Sequence, residues 1–229
     1  MPDIENVLLQ ISIMALPALL AITLHEAAHG YAALRFGDHT AKREGRLSLN
    51  PLRHIDPLGT VILPITMFVL SGFMFGWAKP VPVDFRNLRN PRRDMVWVAL
   101  AGPGVNIALA LVSALLLHTA SMMPGFMSEW WANNLTVSLQ FNVLLALFNM
   151  IPLPPLDGGR VAVGLLPDAL AFPLARLERY GMLILLAFVF LIPFVSGQLG
   201  YSFHPLAMVL LPAVDFVVDL IARITGLIG

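Results

Sequence analysis

At 229 residues, with 58% hydrophobic and 12% charged side chains and a mean hydropathy of +0.79, the chain is too apolar for a water-soluble globule, where about a quarter of residues are charged. A formal net charge of zero gives no electrostatic footprint for nucleic acid, and the absence of cysteine excludes disulfides and thiolate metal sites. What remains is an integral membrane protein of one domain, 1–229, with little mass outside the bilayer.

Asp3 and Glu5 precede the first apolar run, and no Lys or Arg occurs before Arg35. That flank is wrong for a cleaved signal peptide, so the first helix is expected to stay in the membrane. Five stretches reach the ~20 residues that a spanning helix needs: 7–36, 95–118, 134–151, 180–198 and 204–225. A sixth, 60–78, is apolar but interrupted by Pro64, Gly72 and Gly76, with Pro80 and Pro82 just beyond.

Near the end of the first apolar run stands His25-Glu26-Ala27-Ala28-His29. Histidines four apart share one helix face, where both imidazoles reach a single zinc ion. Glu26 lies about 100° around the helix, so it is poorly placed to be a ligand and well placed to take a proton from zinc-bound water. Ionisable groups directly after lipid-type sequence are costly and usually functional. A catalytic zinc usually has three protein ligands. The best third candidate is Asp157, in the run Asn149-Met-Ile-Pro-Leu-Pro-Pro-Leu-Asp157-Gly158-Gly159-Arg160. The alternative for Asp157 is a helix cap before Gly158.

This ligand set fixes an expected topology. The helix 134–151 must end where the first helix ends, and 95–118 runs opposite, so 37–94 starts and finishes on one side. The stretch 60–78 is then reentrant, returning as an extended strand through 76–83. With the zinc side comprising 35–94, 152–179 and the C-terminus, all 14 Lys and Arg residues lie there. The positive-inside rule makes that side cytoplasmic and puts the N-terminus outside. Irregular backbone at membrane depth must line a wet cavity or be buried in protein. The partly alternating run 40–50 fits a hairpin at the cytoplasmic face, or else a solvated basic loop. The expected fold class is thus an α-helical polytopic membrane protein with about five spanning helices, one reentrant segment and short extended strands.

Together with Ala101-Gly102-Pro103-Gly104-Val105-Asn106, the run from Asn50 to Thr60, and Gly76-Trp77-Ala78-Lys79-Pro80-Val81-Pro82-Val83, these motifs resemble the site-2 protease family, in its small bacterial form. The resemblance covers most of 20–165; the two C-terminal helices, about 180–225, match nothing diagnostic. It implies one zinc held by His25, His29 and Asp157, with Glu26 as the catalytic base. Asn149 matches an asparagine that helps hold substrate. It also implies a bacterial cell membrane, and a transmembrane protein as substrate.

The expected reaction is hydrolysis of a peptide bond in or beside a transmembrane segment. Asn149 serves either as oxyanion donor or as a backbone-positioning group. A substrate helix must unwind to expose its peptide bonds, and strand addition along 77–83 would satisfy the freed groups. Asn106 and Asn142 read as interhelical hydrogen-bonders, and His54 and Asp56 as loop hydrogen-bonders. Two other functions stand beside the protease: a metal transporter, and an idle binder of membrane proteins. Glu26 beside the two histidines is unexplained by the first, and the intact ligand set argues against the second.

Overall fold

The computed structural model describes residues 4–62, 66 and 79–229. Helix α1 (Ile4–Phe36) has no charged side chain between Glu5 and Glu26, as a lipid-facing helix requires. Gly37, at φ 109°, ends it in a backbone region that side chains disfavour. A single turn, α2 (Thr40–Arg43), follows, then a 3-10 turn (Pro51–Arg53) and a π turn (Pro57–Ile62). Residues 79–84 have no regular structure and lead through a 3-10 turn (Phe85–Asn87) into α3 (Pro91–Leu117). The rest comprises α4 (Gly125–Asn149), α5 (Asp157–Leu165), α6 (Asp168–Arg176), α7 (Glu178–Gln198, with a π turn at Ala187–Leu191) and α8 (Pro205–Ile224).

Lipid tails are as apolar as leucine, so helices in a bilayer associate through close packing and hydrogen bonds. Small residues make that packing possible around α3. Its Ala110 and Ala114 form one cluster with Leu139 and Val143 of α4 and Val214 and Ile221 of α8. Val98 joins Ala33 of α1, while Val96 and Ala99 join Val161 of α5.

Directions follow from named bonds. His29 meets the Val98 carbonyl and Asn106 reaches back to that of Ala21, so α3 runs antiparallel to α1. Trp130, early in α4, donates to Ser12, early in α1, at 3.0 Å, and Asp157 beyond the end of α4 meets His29. Helices α1 and α4 are therefore parallel, as the ligand set requires. The Arg89 amide donates to the Phe36 carbonyl at 3.0 Å, so the chain between α1 and α3 starts and finishes at one end of the bundle. Of the expected reentrant stretch 60–78, only 60–62 and 66 are among the described residues.

Among the described residues, four helices are long and apolar enough to cross a membrane: Leu8–Phe36, Pro91–Leu117, Glu178–Gln198 and Pro205–Ile224. The fifth expected span, 134–151, falls mostly in α4, which is helical over 25 residues but carries Asn133, Asn134, Gln140 and Asn142.

Three expectations are corrected. No strand occurs among the described residues. At 40–50 the Asp38 carboxylate accepts from the Thr40 amide at 3.0 Å and the Thr40 hydroxyl at 2.5 Å, starting a helical turn where a hairpin, or else a solvated basic loop, was expected. At 79–83, Pro80 and Pro82 cannot donate to a ladder, and side chains bind the backbone instead. Finally, the C-terminus does not lie at the histidine end. His118, just past α3, bonds the Thr225 carbonyl at 2.9 Å, so α8 runs alongside α3 and ends with it. The alternation of spans failed because 178–204 does not complete a simple crossing before α8 begins. Arg223 therefore leaves the basic set at the histidine end.

Candidate metal centre

His25 and His29 emerge one turn apart from α1, and Asp157 opens α5 at the same depth. Their three inner atoms converge. The two Nε2 atoms are 3.0 Å apart, and Asp157 Oδ2 lies 3.2 Å from that of His25 and 3.3 Å from that of His29. All three residues are buried. The capping alternative for Asp157 is not what forms: Leu156 is the N-cap of α5, with no side-chain cap bond.

The outer ring nitrogens suit this cluster to a metal ion. His25 Nδ1 faces Asn106 Oδ1 at 2.6 Å, and His29 Nδ1 faces the Val98 carbonyl at 2.7 Å. Both partners are acceptors, so each Nδ1 carries a proton and, in the neutral ring, each Nε2 presents a lone pair inward. The Asn106 amide cannot be the other way round, because its Nδ2 faces two oxygens, Asn142 Oδ1 at 2.8 Å and Ala21 O at 3.3 Å. Two lone pairs and a carboxylate oxygen thus point at one another, and Asp157 Oδ2 is buried without a hydrogen bond. A cation at the centre resolves this arrangement. Metal–ligand bonds of about 2.0–2.2 Å around a tetrahedral ion set ligand atoms ~3.3 Å apart, close to the separations observed. Space is kept by Gly102, where an added Cβ would stand 2.4 Å from His29 Nε2 and 2.6 Å from His25 Cε1.

These contacts come from two facing rows. Ala21, His25 and His29 are spaced four apart on α1; Val98, Gly102 and Asn106 are spaced four apart on α3. Behind Asn106, Asn142 of α4 donates to the Ser138 carbonyl at 2.9 Å, and Ser113 donates to the Ser138 hydroxyl at 2.8 Å. Asn106, expected as an interhelical hydrogen-bonder, is one, and its partner is a metal-site histidine.

The glycine pair after Asp157 serves close backbone approach. A Cβ on Gly158 would stand 2.2 Å from the Met150 carbonyl oxygen, and one on Gly159 would stand 2.2 Å from Pro154 N. The start of α5 is thereby pressed onto the turn that leaves α4.

Glu26 is outside the three-ligand cluster, as its angle on the helix requires. Its Oε2 accepts from the Val81 amide at 2.7 Å. The Val81 donor, expected to pair with a substrate strand, is thus engaged within the chain. Asn149 does not join the cluster: its Nδ2 donates to the Leu145 carbonyl of its own helix at 2.9 Å. His54 is buried with Nε2 on the Ser48 carbonyl at 2.8 Å, and Asp56 accepts from the Leu58 and Gly59 amides. Both act locally, as expected of loop hydrogen-bonders.

Apolar spanning helices and a helix-borne His-Glu-x-x-His centre completed by an aspartate define the class: a zinc metalloprotease integral to the membrane. The chain is 38% identical over 197 residues to YwhC of Bacillus subtilis (strain 168), named as a candidate zinc metalloprotease, covering 84% of each chain. It is 34% identical over 180 residues to Rip2 of Mycobacterium tuberculosis (strain ATCC 25618 / H37Rv), similarly named, covering 78% of this chain and 66% of Rip2. A shorter match, 41% over 64 residues, covers 28% of this chain and 31% of MJ0611 of Methanocaldococcus jannaschii, another candidate zinc metalloprotease. No family model and no solved structure matches the chain. The chain belongs to the site-2 protease family of zinc metalloproteases.

Proposed function

We propose that the chain is an intramembrane zinc endopeptidase, hydrolysing a peptide bond in or beside the transmembrane segment of another membrane protein. The observation that carries this reading is the convergence of His25 Nε2, His29 Nε2 and Asp157 Oδ2, buried among apolar helices with Glu26 beside them. One zinc, when bound, supplies Lewis acidity and lowers the pKa of water toward about 7. His25 and His29 would hold the ion through Nε2 and Asp157 through Oδ2, while Asn106 and the Val98 carbonyl fix the histidine tautomers. Glu26 receives the proton of the attacking water and later delivers it to the leaving amine. Asn149 sits at the end of α4, and its amide reaches substrate by releasing the Leu145 carbonyl. The positive-inside distribution of Lys and Arg supports a cytoplasmic active-site end in a bacterial cell membrane. The segment 60–78 is proposed as reentrant, because the chain leaves and returns to the same end around it.

Metal analysis and turnover test the reading together. Wild type should hold about one zinc per chain, and Asp157→Ala should lose most of it. Glu26→Gln should keep the zinc and lose about 10²- to 10⁴-fold in cleavage of a membrane-protein reporter. A folded wild type without zinc would end the hydrolase reading. Metal flux that survives Glu26→Gln would replace it with transport.

A further inference from the structure

We propose that the backbone amide of Val81 aims the Glu26 carboxylate, so that segment 79–84 positions the general base; this rests on the reading of Glu26 as that base. The contact is short for an N–H···O bond, 2.7 Å from Val81 N to Glu26 Oε2, as expected when the acceptor is charged. A free glutamate side chain is flexible, and pinning one carboxylate oxygen removes most of that freedom. The pin leaves Oε1 as the oxygen that receives the proton.

The rest of the segment is built to deliver this one donor. Pro80 and Pro82 have no N–H, so the Val81 amide is the single donor between those of Lys79 and Val83. Val81 is buried, and it sits down onto α1 one turn beyond Glu26: a Cβ on Gly30 would stand 2.9 Å from Val81 Cγ1. Both neighbouring stretches are tied. The Lys79 amide donates to the His54 carbonyl at 2.9 Å, and Arg46 Nη2 donates to the Lys79 and Pro80 carbonyls at 3.1 and 3.4 Å. Downstream, the Asp84 amide donates to Asp38 Oδ2 at 2.8 Å. Glu26 and Gly30 form the row beside His25 and His29, so the segment covers the base without entering the metal cluster.

Val81 is a positioning residue, and the test must separate its N–H from its side chain. Val81→Pro removes the donor, Val81→Ala keeps it, and an amide-to-ester replacement at position 81 removes the N–H alone. Each is compared with wild type and Glu26→Gln for zinc per chain, for kcat and KM on a tagged single-span reporter, and for affinity for benzohydroxamate. The hydroxamate needs no natural substrate; it binds zinc and gives a hydrogen bond to a neighbouring carboxylate. The proline and ester variants should keep zinc, lose about 10- to 100-fold in kcat with KM little changed, and bind hydroxamate more weakly by a similar factor. Val81→Ala should lose much less in both. The proposal is overturned if the proline and ester variants match Val81→Ala, or if they shed zinc, since the segment would then support the ligands and not the base. If Glu26→Gln itself leaves turnover and hydroxamate affinity intact, the failure lies with Glu26 as base.

Discussion

Asn106 shows what a single buried side chain does in this protein. It is fully buried, and its amide serves three partners on two other helices: His25, Ala21 and Asn142. Asn106→Leu keeps the γ-branched shape and removes the acceptor that holds His25 in its inward-facing tautomer. Zinc affinity should fall about 10- to 100-fold, read by competition with a chelator of known affinity. Gly102→Ala should do worse, because the methyl group would occupy the space of the histidine nitrogens. The three residues that converge, His25, His29 and Asp157, were legible in the sequence through i, i+4 spacing and the Asp-Gly-Gly run. The partner of Asn106 was not, because the sequence gives each helix its faces but not the register between helices. The Val81–Glu26 bond was hidden for the same reason. Nothing in 79–84 taken alone says that its one interior N–H is already used.

Between α1 and α3, Asp38 is the knot. Its carboxylate accepts from the Thr40 amide and hydroxyl, the Asp84 amide at 2.8 Å and Asn87 Nδ2 at 3.1 Å. Burial pushes the Asp38 carboxyl up, and the bonds from Thr40, Asn87 and Asp84 outweigh it, holding it below the ordinary carboxylate range. A folded-state value below the unfolded one means that the stabilisation is complete above the unfolded pKa of about 3.9 and is lost as pH falls through the lower folded value. Thermal unfolding should therefore show an acid limb below about pH 4, shallower in Asp38→Asn. Asp38→Ala leaves four part-buried donor contacts without their acceptor and should lower stability by about 1–2 kcal/mol, measured by denaturant titration in detergent. The same residue defeated the hairpin expected at 40–50. Alternation of apolar residues is a weak signal over so short a run, and one carboxylate accepting from Thr40 is enough to start a helical turn instead.

For the whole molecule, the sequence conveyed the class and the relative directions of α1, α3 and α4, because a shared ligand set forces helices to end together. It misplaced the C-terminus, because span counting treats each apolar run as one full crossing. The pairing of His118 with Thr225 sets α8 alongside α3. Topology is directly measurable, since the chain has no cysteine and single introduced thiols report cleanly. Thiols at Glu5 and Gly229 should be labelled from outside the cell by an impermeant maleimide, and one at Ser48 only after the membrane is opened. Labelling of Gly229 and Ser48 from the same side would refute the orientation of α8.

The split of the metal cluster across the chain also has a meaning in time. His25 and His29 are synthesised on the first helix, whereas Asp157 leaves the ribosome only after α3 and α4. Until then two imidazoles offer an incomplete and weak site. A growing chain therefore lacks the complete three-residue cluster until the helices that enclose the centre have been made.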